Sequence, residues 1–328
     1  MFYNEEDYIY GSTRVRTVTA RSSVGEHIRR SVEARDLGEA LRILDESGLN
    51  LSEGNIDGAL TDFTDDAYKI LDETASDPDM FNVLRYPYDC HNIKVAVKSS
   101  FRTADPMRLM FGNGSIPPDV IIQAVTEHDF SALPRNMSSA ANNAIETYYR
   151  NSDPSRIDNV MDKACFLDMS ETAEKFDLMY LRRFVEYKAD TVNILTCVRL
   201  IRMNAGADAF EDHMVPSGII TNEQLKTVFD ANGVRERETL LYDRLQKTRY
   251  FDMRLSAADS LTAIERACEK KFLDFITNEA KQKLYGMEIL TAFVVIREAE
   301  VKDIRIVISC KTASVPAETI KERLRTHV

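Results

Sequence analysis

Among the residues of this chain able to do chemistry, the carboxylates come first. Asp62, Asp65 and Asp66 stand at helical intervals, and carboxylates at i and i+3 or i+4 share a helix face that can hold a divalent cation. A metal-dependent enzyme would need a second acidic group facing them. Asp72, Glu73, Asp77 and Asp79 are acidic, but their spacing is that of a solvated helix face, so no metal and no cofactor is assigned. Cys90 and His91 are adjacent, which on a helix points them about 100° apart and keeps them from clasping one ion. The other histidines (His27, His128, His213 and His327) are scattered, and read as surface or packing residues. No Gly-Lys dipeptide occurs, so a phosphate loop is absent, as are His-Glu-x-x-His and Gly-x-Ser-x-Gly. No catalytic residue is assigned, and the expectation is a protein that is not an enzyme.

A different set of acids recurs. Asp89-x-x-Asn92-Ile93-Lys94 returns as Asp190-x-x-Asn193-Ile194-Leu195 and as Glu300-x-x-Asp303-Ile304-Arg305. Each copy is followed by an apolar triplet at i, i+3 and i+4: Ile93/Ala96/Val97, Ile194/Cys197/Val198 and Ile304/Val307/Ile308. That spacing predicts three equivalent helices, each with a packing stripe and an acid one turn before it. Catalysis needs one site rather than three. Recurrence therefore favours a shared packing role, each acid capping a helix or pairing with Arg85, Lys94, Arg183, Arg199, Arg297 or Arg305. The alternative is a threefold set of polar contacts to a partner.

The elements that must position these acids repeat with them. A short helix ends in Val32-x-x-x-Asp36, in Val125-x-x-x-Asp129 and in Val228-x-x-x-Asn232. A longer middle helix opens at Ile56-Asp57, at Ile157-Asp158 and at Ile264-Glu265, followed by the helix that carries the acid. Turn-rich joints at 110–118, at 204–206 with 215–218, and the break at Asn151-Ser-Asp-Pro154 punctuate the order. The expected class is all-α, with three similar helical modules at 1–105, 106–206 and 207–328, forming an open solenoid or a closed ring. Ser12 or Thr13 is expected to cap a first helix carrying Val15 and Val18 toward Arg21. The β-branched run Arg305–Ile308 is read as helix because its two counterparts are.

Composition narrows the function classes. The chain has 328 residues, 42 Lys+Arg against 53 Asp+Glu and a net charge of −11, which argues against a nucleic-acid partner. Five unpaired cysteines (Cys90, Cys165, Cys197, Cys268 and Cys310) are expected to be buried free thiols in a reducing compartment. An acidic N-terminus and the lack of a long apolar run point to a cytoplasmic chain with no membrane span.

Several stretches resemble the C subunit of the V-type/A-type ATPases (ATP synthases), which is similar to the d subunit of the eukaryotic vacuolar enzyme. They are Tyr10-Gly11-Ser12-Thr13-Arg14-Val15-Arg16 with Glu33 to Leu37, Leu84-Arg85-Tyr86 with Asp89 to Lys94, and Arg297 to Ile308 followed by Pro316 to Leu324. Pro87 and Cys90 interrupt the family's Arg-Tyr-Asp-Tyr-His-Asn pattern, and Lys311-Thr-Ala313 replaces a more usual Gly-Lys pair. Pro87 must then start its helix or kink it. The resemblance implies a funnel of three helical domains about a pseudo-threefold axis, peripheral on the cytoplasmic face of the membrane. It also implies two partners, the central shaft (the D and F subunits) and the proteolipid (c/K) ring, with no nucleic acid or small-molecule substrate. Such a socket would couple ATP turnover elsewhere to H+ or Na+ movement. From the repeat, its partner-facing or module-facing candidates are Arg85, Tyr88, Asp89, Asn92, Glu186, Asp190, Asn193, Arg297, Glu300 and Asp303. Rival readings of the same residues are a helical scaffold for an extended partner and a metal enzyme built on Asp62–Asp66.

Overall fold

Stripes at i, i+3 and i+4 bury themselves only against other helices. In the computed structural model, which describes residues 3–101, 105–151, 155–250, 253, 255, 256 and 258–326, no strand occurs among those residues. The first helices are α1 (Ile9–Arg21), α2 (Val24–Val32), α3 (Leu37–Asp45), α4 (Ile56–Thr74) and α5 (Asn82–Ser100). Next come α6 (Pro118–Glu127), α7 (Arg135–Asn151), α8 (Ser155–Phe176), α9 (Met179–Arg202) and α10 (Ala207–His213). The last are α11 (Asn222–Phe229), α12 (Val234–Gln246), α13 (Leu261–Gln282), α14 (Met287–Thr312) and α15 (Ala317–Lys321). The chain is all-α, and Arg305–Ile308 lies well inside α14.

The repeated landmarks fall on matching elements. The short helices α2, α6 and α11 end where Val32, Val125 and Val228 predict, and Ile56, Ile157 and Ile264 lie in the first turns of α4, α8 and α13. The three acids ride on α5, α9 and α14. Local chemistry sets the helix ends. Asp36 accepts from the Glu39 amide to start α3, Asn55 accepts from the Gly58 amide to start α4, and Thr221 and Gln224 form a capping box on α11. Residues 152–154 of the expected break, and His327, lie outside the described residues.

One expectation is corrected, and one of the two alternatives for Pro87 is excluded. Ser12 and Thr13 do not cap α1, because Tyr8 precedes it and a 3-10 turn at Glu5–Tyr8, capped by Asn4, leads into it. Ser12 is instead buried and its hydroxyl accepts from the Gly286 amide at 3.1 Å. Pro87 does not start its helix. α5 begins at Asn82 and runs through the proline, whose ring is exposed.

Two compact units result, Asp79–Leu261 and a second made of Phe2–Pro78 together with Thr262–Val328. In the first, α5 packs on α6, α7 and α8, and α9 packs on α8, α10 and α12. The second is assembled from both ends of the chain, with α14 packed on α1, α2, α3 and α4. Its core joins Val24, Ile28, Val32, Leu44 and Leu60 to Ile304, Val307, Ile320 and Leu324. At about 25 cal/mol per Å² of apolar surface, full burial of each such side chain contributes roughly 1.5–3 kcal/mol. The pairing of α14 with α4 parallels that of α5 with α8: in both, an acid-bearing helix lies on a helix that opens with an Ile-acid pair.

Candidate functional site

The repeated polar residues make one kind of contact three times, and it faces inward. On α5, Asp89 is fully buried; its carboxylate accepts from the Ser115 amide (3.0 Å) and hydroxyl (2.6 Å) and from the Ile116 amide (3.1 Å). One turn on, Asn92 donates to the Phe111 carbonyl (2.8 Å) and accepts from the Phe111 amide (2.9 Å). On α9, Asp190 accepts from the Ile220 amide (3.1 Å) and the Tyr250 hydroxyl (3.0 Å). Asn193 exchanges the same pair of bonds with Val215, each 2.9 Å. An amide side chain suits this position because it offers a donor and an acceptor to one backbone residue.

The third copy solves the same problem with different groups. Glu300 pairs with Arg297 (2.9 Å), and Arg297 donates to the Ser22 hydroxyl (3.0 Å) while lying over the rings of Phe63 and Phe293. Asp303 replaces the asparagine and accepts from two amides, Arg325 (2.8 Å) and Thr326 (2.9 Å). A carboxylate has no donor, so it fits where the backbone presents two N–H groups and no carbonyl.

The three seams hold equivalent places. Ile116, Ile220 and Ser22 each stand two residues before the first residue of α6, α11 and α2. Each acid-bearing helix thus faces the loop that leads into a short helix: α5 the one before α6, α9 the one before α11 and α14 the one before α2.

Two glycines permit the close approach. A Cβ on Gly114 would lie 2.2 Å from Asp89 Oδ1, and one on Gly218 would lie 2.4 Å from Asp190 Oδ1. Neither has a positive φ, so space rather than backbone conformation demands glycine there. Sequence reasoning marked both loops as joints but missed these glycines, along with Ser115, Tyr250 and Ser22. The signal was present: Gly-Ser-Ile-Pro and Gly-Ile-Ile-Thr occupy the same place before α6 and α11.

Burial raises all four carboxyls. For Asp89 it outweighs the bonds from Ser115 and Ile116, and for Glu300 the Arg297 charge. Asp303 is raised by burial against Thr326 and Arg325, and Asp190 is pushed up to about 6 by burial against Ile220 and Tyr250.

The ten candidate residues therefore divide. Asp89, Asn92, Asp190, Asn193, Arg297, Glu300 and Asp303 are buried and bonded within their own unit. Arg85, Tyr88 and Glu186 are half-buried. Arg85 donates to the Asn113 carbonyl (3.3 Å), Tyr88 meets Phe111 edge-on, and Glu186 pairs with Arg249 (2.7 Å). Of the basic residues considered as mates, Arg297 pairs with its acid, whereas Lys94 pairs with Asp162 and Arg305 with Asp57. Asp62, Asp65 and Asp66 lie exposed on α4, and no cluster of three His, Cys, Asp or Glu able to hold a metal occurs among the described residues. No described helix is long and apolar enough to cross a membrane.

The asparagine's donor can be tested directly. Asn193→Asp sets a carboxylate oxygen against the buried Val215 carbonyl, and a loss of about 3 kcal/mol in unfolding free energy is expected. Denaturant titration beside Asn193→Ser checks it; an aspartate variant as stable as wild type at neutral pH would refute the assignment.

Residues 12–323 match the family described as ATP synthase (C/AC39) subunit, vATP-synt_AC39. The chain is 21% identical to the C subunit of the V-type sodium ATPase of Enterococcus hirae over 271 residues, 79% of this chain and 78% of that one. It is 20% identical to the C subunit of the A-type ATP synthase of Thermococcus gammatolerans over 337 residues, covering 96% of this chain and 89% of that one.

Proposed function

This chain belongs to the ATP synthase (C/AC39) subunit family, and on that premise we propose that it is the non-catalytic central-stalk socket of a rotary V/A-type ATPase. In this reading the repeats at 1–105, 106–206 and 207–328 form a funnel about a pseudo-threefold axis. The socket receives the shaft, made of the D and F subunits, and is seated on the cytoplasmic face of the membrane proteolipid ring. It transmits torque between ATP turnover in other parts of the complex and ion movement in the ring.

One observation carries the reading. The seam on α14 faces the loop into α2, so the third repeat is bonded to the first as the first is to the second and the second to the third. A cycle of equivalent seams supports a closed socket over an open solenoid, whose last repeat would have no partner. It also suits torque. Buried, charge-assisted bonds to backbone resist shear between helix and loop while needing no chemistry. The seven buried residues then keep the socket's shape, and Arg85, Tyr88 and Glu186 are the candidates left to touch the shaft.

The test is reconstitution of the purified full chain with the D–F shaft complex and with proteolipid ring in detergent. Co-elution with both is expected, and weakened shaft binding is expected for Arg85→Glu with Glu186→Lys at unchanged helicity. A folded chain that binds neither partner would sink the proposal.

A further inference from the structure

The unit at Asp79–Leu261 holds a cleft of about 610 Å³, lined by α8, α9 and the loop that leads into α11. Its polar lining is Ser170 and Glu174 from α8, Arg182 and Glu186 from α9, and Ser217 from the loop. Ser217 has a left-handed backbone (φ 74°), and its hydroxyl meets that of Ser170 at 2.6 Å. Gly218 beside it lies against the Asp190 carboxyl. Two of the lining charges are answered within the chain, Arg182 by Asp177 (2.5 Å) and Glu186 by Arg249 (2.7 Å). The Glu174 carboxylate pairs with no described residue. Among the described residues the cleft thus keeps an excess negative charge.

The first repeat shows what this place accepts. Asp89 and Asp190 stand at the same point of α5 and α9, and four residues before them come Arg85 and Glu186. Arg85 donates to the carbonyls of Asn113 (3.3 Å) and Gly114 (3.4 Å), so the chain's own guanidinium fills the first seam. The matching loop residues at the second seam are Ser217 and Gly218, each glycine pressed against its aspartate. There α9 offers a carboxylate instead, and no described residue donates to the Ser217 or Gly218 carbonyl. We propose that this cleft receives an arginine side chain from a partner, and that the partner is the shaft, an assignment of source that rests on the function proposed above. A guanidinium carries five N–H donors in a planar fork, which suits two carboxylates flanked by hydroxyl and carbonyl oxygens. Ala173 and Val185 line the same cleft and would flank its methylene stem.

Two measurements test this on the purified full chain. Ethylguanidinium is followed by saturation-transfer NMR, and the affinity of the D–F shaft complex is measured in parallel. Ethylguanidinium should bind the wild-type chain and not Glu174→Lys. Shaft affinity should fall about tenfold in Glu174→Lys at unchanged helicity, less at high salt, and stay unchanged in Asp243→Lys, a reversal on exposed α12 surface outside the cleft. Ethylguanidinium that does not bind the wild-type chain would overturn the proposal. So would equal shaft affinity for wild type and Glu174→Lys, a result that leaves the socket itself standing. A wild-type chain that binds ethylguanidinium but no shaft would overturn the socket reading and the proposed source together.

Discussion

Gly114→Ala is expected to destabilise the chain by about 3–5 kcal/mol. The new Cβ would sit 2.2 Å from Asp89 Oδ1, inside the space that the carboxylate fills. Either the loop moves off, losing the bonds from Ser115 and Ile116, or α5 turns Asp89 away and leaves a buried charge without donors. Hydrogen bonds to a charged group contribute about 1.5–3 kcal/mol each, so losing two of them sets the expected scale. The cause can be isolated with a double-mutant cycle. In an Asp89→Ala background the obstructing oxygen is gone, and Gly114→Ala should cost less than about 1 kcal/mol. An equal cost in both backgrounds would show that the glycine serves the loop's own conformation. Gly218→Ala should behave alike against Asp190, with its Cβ 2.4 Å from that carboxylate.

Asp190→Asn is expected to act in the opposite direction and to depend on pH. The Asp190 carboxyl is raised from 3.8 to about 6 in the folded chain, chiefly by burial. Between those values the folded state binds more protons than the unfolded state, so this group makes stability fall as pH rises from about 4 to about 6. Above pH 6 the buried charge is a standing cost, at about 1.4 kcal/mol per pH unit of difference. Asparagine is neutral, can still accept from the Ile220 amide, and can donate to the Tyr250 oxygen. The variant should therefore exceed wild type by about 1–3 kcal/mol at pH 7.5, and that margin should shrink as pH falls below about 6 and be lost near pH 3. Paired denaturation curves at the two pH values check this. A constant difference, whatever its sign, would mean that Asp190 does not titrate in this window.

The repeat was legible in the sequence because its landmarks are local. An acid, a polar residue three on and an apolar triplet fix α5, α9 and α14, and Ile-acid pairs mark the first turns of α4, α8 and α13. Helix class was equally plain, even where Arg305–Ile308 looked like a strand. What the acids face was not legible, because their partners are backbone amides, which carry no residue identity. Asp89 and Asp190 reach loops through N–H groups that any non-proline residue would supply. Only the space needed nearby leaves a mark, and that mark is a glycine easily taken for an ordinary turn residue. Starting α1 at Ser12 or Thr13 failed because a capping hydroxyl and a buried hydroxyl look alike until the Gly286 amide is placed against Ser12. The bond from Arg297 to Ser22 joins opposite ends of the sequence, and no local pattern announces it.

That joining of ends also sets an order of events on the ribosome. Residues 2–78 are made first, yet the core containing Val24, Ile28, Val32 and Leu44 is completed by Ile304, Val307, Ile320 and Leu324. At translation rates of about 5–20 residues per second, the N-terminal helices wait roughly 10–50 s for the last ones. The intervening unit can fold during that interval, since its helices are synthesised consecutively. Nascent chains would thus expose the apolar faces of α2 and α3 until α14 and α15 emerge, and truncation before α14 would leave them open to chaperones and proteases. Synthesis of those late helices is the step that commits the early ones to their fold.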